Sequence, residues 1–169
     1  MTTLTTPRLV LRHFERKDLP DLFAMDSDAR VMRYLGSGMK GRTREECEQA
    51  LERMVERAAA RAGYGLLHAS LRDGGRFVGG CGLFPVLEGA DIEIAYRLPH
   101  EAWGQGYATE MARAVLAHGF DNLGLTRIVG LTWPENVPSQ RVLVKIGLTR
   151  EADAEHYGRT MQVYAAHRT

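Results

Sequence analysis

Asp91-Ile92-Glu93-Ile94-Ala95-Tyr96-Arg97-Leu98 leads through Pro99-His100-Glu101-Ala102-Trp103-Gly104-Gln105-Gly106-Tyr107-Ala108 into the longest apolar helix pattern of the chain. The first eight residues alternate. Ile92, Ile94 and Tyr96 fall on one face, and Asp91, Glu93, Ala95 and Arg97 on the other, as a strand with a period of two requires. From Ala108 the period changes. Ala108, Met111, Ala112, Val115, Leu116, Gly119, Phe120 and Leu123 recur at three and four, and Gly124 supplies a C-terminal stop. Between strand and helix, Gly104 and Gly106 let main-chain amides crowd at a helix N-terminus, where unpaired N–H groups and the positive dipole end suit a phosphate. A tight turn is the plainer reading of such glycines.

Upstream, Arg8 to Phe14 reads as an opening strand, Asp18 to about Met25 as a short helix and Arg30 to Leu35 as a second helical turn. Thr43 and Glu46 form a T-x-x-E capping box, followed by Cys47, Ala50, Leu51, Met54, Val55 and Ala58 at helical spacing. Leu66 to Leu71 and Arg76 to Phe84 are strands joined by the hairpin signal Asp73-Gly74-Gly75. Downstream, Arg127 to Thr132 is a strand, Asn136 to Ile146 a helix closed by Gly147, and Arg159 to Ala166 a closing strand. The order β, α, α, β, β, β, α, β, α, β, with one more strand at the end, implies a mixed α/β fold with helices covering the sheet.

The 169 residues carry 22 Lys plus Arg against 21 Asp plus Glu, a net charge of +1, with 44% hydrophobic residues. That composition suits a single domain over residues 1–169 with a substantial core, and it argues against nucleic-acid or membrane binding driven by bulk charge. Phe77 to Leu87, the longest charge-free stretch, falls well short of the roughly 18 residues of a membrane span. Met1 to Pro7 has no secretory signature. Cys47 and Cys81 lack CxxC spacing, which fits a reducing compartment, so a cytoplasmic location without a metal is expected.

At Thr6-Pro7-Arg8-Leu9-Val10-Leu11-Arg12, Gly79-Gly80-Cys81-Gly82-Leu83, Glu93 to Leu98, Trp103 to Glu110 and Asn136 to Leu148 the sequence resembles the GCN5-related N-acetyltransferase (GNAT) superfamily, within it the ribosomal-protein N-acetyltransferase-like (RimJ/RimL-type) branch. The resemblance spans nearly the whole chain. It implies a mostly antiparallel sheet of six or seven strands whose fourth and fifth strands splay apart to admit the pantetheine arm of acetyl-CoA. It also implies transfer of an acetyl group to an amine, either a protein N-terminal α-amine or a small-molecule amine. In the family's phosphate loop a polar residue usually stands where this chain has Trp103; the binding groups are backbone amides, from Trp103 through Gly104, Gln105, Gly106, Tyr107 and Ala108.

Acetyl transfer to an amine needs a neutral amine, a polarised carbonyl and a stabilised leaving sulfur. Glu93, a carboxylate in mid-strand, suits the base, with a cross-strand ion pair as the bland alternative. Asp91 and His100 lie at or beyond the strand ends. Main-chain N–H groups of Ile94, Ala95 and Tyr96 would polarise the carbonyl if the strand bulges there. Many superfamily members carry a Tyr seven residues after the capping Asn, where this chain has Leu143, so Ser139 is the hydroxyl available to orient or protonate the sulfur. Asn136 and Ser139 are equally good helix-capping residues. Arg141 and Lys145, one turn apart, suit nucleotide phosphates or a solvated face. Tyr34, Met39, His68 and Tyr157 are candidates for the acceptor pocket, against ordinary packing roles.

Other motif matches fail on context. Gly36-Ser37-Gly38-Met39-Lys40-Gly41 is a literal GxGxxG, but its helix begins only at Thr43, so it reads as a loop near the substrate entrance or a solvated turn. Gly119 and Gly124 lack the following Lys-Ser, and His100-Glu101 lacks the second His of HExxH. A homodimer through an exposed sheet edge is compatible with such a domain, and a CoA-binding module without turnover is the alternative function.

Overall fold

The structure is a computed structural model describing residues 2–35, 40–86 and 90–168. Strands β1 (Thr3–Thr5) and β2 (Leu9–His13) precede the helices α1 (Leu19–Asp26), α2 (Ala29–Met32) and α3 (Arg44–Ala60). Strands β3 (Gly65–Leu71), β4 (Phe77–Pro85) and β5 (Ile92–Arg97) follow, then α4 (Tyr107–Asp121), β6 (Arg127–Thr132) and α5 (Val137–Lys145). The chain closes with β7 (Thr149–Arg150), β8 (Ala154–His156) and β9 (Arg159–His167). The Gly36 to Gly41 motif and Met39 fall mostly or wholly on residues 36–39, outside the described residues.

One path runs β1-β2-β3-β4-β5-β6-β9-β7, with β8 on β9, so the described sheet has nine strands rather than six or seven. The additions are β1, β7 and β8, each two or three residues long, too short for an alternation pattern to register. Every pairing is antiparallel except β5 with β6, which is parallel and holds at the single pair Glu93 and Val129. Beyond it the two strands part. This is the splay expected of the fourth and fifth strands counted from Arg8.

One face of the sheet packs on α4 and α5 through Leu11, Leu83, Ile94, Met111, Val115 and Leu143. The other packs on α1 and α3 through Phe14, Leu22, Met25, Cys47, Leu51 and Leu66. Both cysteines are buried free thiols. The Thr43–Glu46 capping box forms in both directions, at 3.2 and 2.8 Å, which fixes where α3 begins. Fully buried Asp26, near the end of α1, accepts from Arg97 of β5 at 2.8 and 3.1 Å and from Arg42 at 2.8 Å. These bonds tie the segment entering α3 to the sheet next to the splay, and each charge is met by an opposite one. Among the described residues no helix is long and apolar enough to cross a membrane.

Candidate active site

Glu93 stands where β5 and β6 last touch. It is 9% exposed, and its face also carries Ala95 and Arg97 on β5 and, through its partner Val129, Leu131 and Trp133 along and just beyond β6. Among the described residues no cation pairs with the carboxylate. It accepts a 2.7 Å hydrogen bond from the Tyr157 hydroxyl. Burial raises its pKa to about 7, and the Tyr157 bond, which favours the charged form, opposes that rise.

Tyr157 reaches Glu93 from a two-residue hairpin turn. His156 pairs with Arg159, and Tyr157 at φ 53 with Gly158 at φ 74 makes the doubly left-handed turn that suits the twist of two antiparallel strands. For a bulky residue that backbone is costly, and Tyr157 is the one non-glycine residue with positive φ among those described.

On the opposite face the Tyr96 hydroxyl donates to the Ser139 carbonyl at 3.0 Å and shares a hydrogen bond with Ser139 Oγ, also at 3.0 Å. The splay is therefore spanned by a β5 tyrosine and the first turn of α5. Burial pushes the Tyr96 hydroxyl above its ordinary pKa, so it stays protonated. The Asn136 side chain caps α5 by accepting from Ser139 N–H at 3.3 Å. Leu143 is 1% exposed and locked against Gly130, where a Cβ would lie 2.4 Å from the leucine Cδ2. A tyrosine at position 143 would need more space than this packing leaves.

The register of β4 on β5 runs without a shift from Gly80–Arg97 to Pro85–Ile92, so β5 carries no bulge against β4 at Ile94 to Tyr96. On the other side of β5, beyond Glu93 no β5–β6 pair follows. The shift in the sheet lies instead between β3 and β4, at Ala69 and Ser70.

The glycine loop closes the strand-to-helix connection. Gly104 and Gly106 take φ 73 and 79, and Gly106 is the N-cap of α4. The amides of residues 104–109 have no acceptor among the described residues, and the first backbone bond of the helix is Glu110 N–H to Gly106 O. A left-handed glycine at each alternate position turns successive amides toward a common point, a concavity for an anion. Trp103 does not enter it: its indole N–H donates to Leu98 O at 2.9 Å and its ring packs on His100. Gln105 donates to Glu101 O.

Arg8 braces this loop, donating to Gln105 O at 3.1 Å, pairing with Glu110 at 2.6 Å and lying over the Tyr107 ring. A groove of about 760 Å³ runs alongside, lined by Arg8, Gly106, Arg113 and Lys145. Lys145 thus faces the loop, whereas Arg141 is solvent-exposed on α5 and outside the groove lining. The uncapped amides, two left-handed glycines and adjoining cations fit a pyrophosphate and its flanking phosphates.

Of the weaker candidates, Tyr34 packs against Trp133 in a T-shaped contact at 5.4 Å. His68 is 3% exposed, bonded to Asp21 at 2.9 Å and packed against Phe14 and Phe77. Asp18, Asp21 and His68 bring ligand atoms within 4.8 Å of one another, but Arg12 already clasps Asp18 at 2.7 and 2.8 Å. Asp91 pairs with Arg127, and His100 is exposed on the loop, so neither reaches Glu93's position. The sequence reading missed Arg8, the hydroxyl of Tyr96, and the Trp133–Arg159 pair. Alternation offers a signal for one of them, since Trp133 continues the Val129, Leu131 series.

Residues 8–149 match the family model described as acetyltransferase (GNAT) domain. An uncharacterized N-acetyltransferase of Bacillus subtilis, YnaD, is 32% identical over 148 residues, 88% of this chain and 83% of that one. The crystal structure of an acetyltransferase from Agrobacterium tumefaciens is 26% identical, covers 99% of this chain and 95% of that one, and superposes with a TM-score of 0.83. RimJ of Mycobacterium smegmatis, solved with a CoA-disulfide, shares the fold at 23% identity and a TM-score of 0.78, over 98% of this chain and 86% of that one.

Proposed function

The chain belongs to the GNAT acetyltransferase family, and we propose that it transfers an acetyl group from acetyl-CoA to a primary amine by direct attack in a ternary complex, with Glu93 as the base. The acceptor is a protein N-terminal α-amine or a small-molecule amine. The observation that carries this reading is a carboxylate buried at the point where the sheet opens, without a cation partner among the described residues, and held near pKa 7. A general base works best when its pKa lies near the working pH, where it is both ionised and able to accept a proton.

Acetyl-CoA supplies an activated thioester. The chain's own groups divide the remaining work. The amides of residues 104–109, with Arg8 and Lys145 beside them, hold phosphate oxygens. The amides of the Ile94 to Tyr96 segment that face β6 rather than β4, beyond the last β5–β6 pair, offer a donor to an acyl oxygen. Glu93 takes the proton of the incoming ammonium, directly or through water. Ser139 Oγ, fixed by Tyr96, is the hydroxyl offered to the departing sulfur.

A free thiol pKa near 8.5 makes the thiolate a fair leaving group, so this hydroxyl has modest work to do. Ser139→Ala and Tyr96→Phe are each expected to lower turnover by about tenfold or less, well short of a base deletion. Initial rates of thiol release with a verified acceptor measure both. Tyr157→Phe removes the donor that favours ionised Glu93, so the acidic limb of kcat/KM moves to higher pH. A limb that stays in place would show that the hydroxyl does not act on Glu93. Screening release of free thiol from acetyl-CoA over amines and peptide N-termini tests the reading itself; binding without acceptor-dependent release marks a silent CoA-binding module.

A further inference from the structure

We propose that Arg159, stacked on Trp133, anchors an anionic group of the acceptor, so that the preferred acceptor is a primary amine carrying a carboxylate or phosphate several bonds from the nitrogen. This rests on the reading of Glu93 as the base. The Arg159 guanidinium carbon lies 3.2 Å from the centre of the Trp133 ring, and Tyr34 meets the same indole in a T-shaped contact at 5.4 Å. Arg159 Nε is buried with no hydrogen-bond partner, and no carboxylate forms an ion pair with this guanidinium among the described residues. The contrast with the neighbourhood is informative: Arg42 and Arg97 share Asp26, and Arg127 pairs with Asp91 and Glu151.

A partly buried guanidinium without a counter-ion is costly unless a ligand completes it. Stacking on an indole restrains a guanidinium while its N–H groups remain available to grip a carboxylate or phosphate with two parallel bonds. Position gives the complementary half. Arg159 has the strand parity of Met161 and Val163, Trp133 that of Leu131 and Val129, and Val129 is the partner of Glu93. Arg159 also follows the turn whose Tyr157 touches Glu93. The same face therefore offers a negative group for an ammonium and a positive one for an anion. Val129 and Trp133 are four residues apart, about 13 Å of strand, which is too long for the α-carboxylate of the amino acid that bears the amine.

Two sources have this chemistry, a peptide N-terminus with an acidic residue next in sequence and a small ω-amino acid. Matched pairs separate them: an Ala-Glu peptide amide against Ala-Gln, and aminohexanoate against its amide. The wild type is expected to favour the anionic member of at least one pair by about ten- to hundredfold in kcat/KM. Arg159→Met, which keeps an apolar stem on Trp133, should remove that preference through KM while the neutral member is unchanged. Arg159→Lys should retain part of it.

No preference in the wild type, or an equal loss for both members in Arg159→Met, overturns the proposal. If the wild type acetylates none of these amines, the base reading fails for them and calorimetry with glutarate still decides Arg159. Binding by the wild type that is lost in Arg159→Met supports the anchor; no binding, or equal binding, overturns it.

Discussion

Glu93→Gln is expected to lower turnover by about two to four powers of ten, the usual worth of a positioned general base, while leaving acetyl-CoA affinity close to that of the wild type. The substitution keeps the size of the side chain and a carbonyl for the Tyr157 hydroxyl to meet. Its signature is in the pH profile. With the carboxyl raised from 4.5 to about 7, Glu93 is protonated below that value and ionised above it, so wild-type kcat/KM falls as pH drops through about 7. That limb vanishes in Glu93→Gln, and activity recovers only as alkaline pH supplies free amine.

Stability moves oppositely to activity. A carboxyl whose folded pKa exceeds its unfolded one holds a proton in the native state that the unfolded chain has released between 4.5 and about 7. Stability is lost as pH rises through that window, and Glu93→Gln removes the loss. A variant at least as stable as the wild type above neutrality but nearly inactive separates a chemical role from a structural one. Urea titrations at either end of the window supply the comparison.

Gly106→Val is expected to weaken acetyl-CoA binding by about two powers of ten or more, read by calorimetry on folded protein. At φ 79 a β-branched residue is strained, and relief of that strain would turn the amide cradle of residues 104–109 out of shape. Space alone does not forbid the change, since an added Cβ would meet only Arg8 Nη2, at 3.5 Å. The loss therefore belongs to the loop's conformation and its approach to phosphate. Unchanged affinity in a folded Gly106→Val variant would place the nucleotide elsewhere.

What could be read from the residues follows the reach of local patterns. The capping box at Thr43, the hairpin glycines at 74 and 75, the alternation of Ile92 to Tyr96 and the helical recurrence from Ala108 are properties of neighbouring residues, and each appears in the fold. Glu93 was legible for the same reason, as a carboxylate out of place in an apolar strand. Ser139 and Asn136 declared themselves by position at a helix start, but the Tyr96 bond across the splay did not, because it joins residues 43 apart.

Tyr157 hides its turn. Tyr-Gly carries a β-forming residue where Asn or Asp would announce a left-handed pair, so β8 and its hairpin went unread. His68 is opaque for a different reason: a histidine alone on a strand is compatible with a pocket or a core role, and the partner of its Nε2, Asp21, arrives from α1, 47 residues away. Arg159 and Trp133 come from opposite ends of a long connection, and no spacing rule brings them together.

The central claim, that Glu93 activates an amine for attack on acetyl-CoA held at the splay, is tested most directly by measuring acceptor-dependent thiol release together with the acetylated acceptor, for wild type and Glu93→Gln across pH. The account predicts one acetylated amine per thiol released, a wild-type limb near pH 7, and a Glu93→Gln rate lower by about two to four powers of ten. Equal rates and superimposable pH profiles for the two proteins would contradict it, leaving Glu93 as a buried partner of Tyr157 and nothing more.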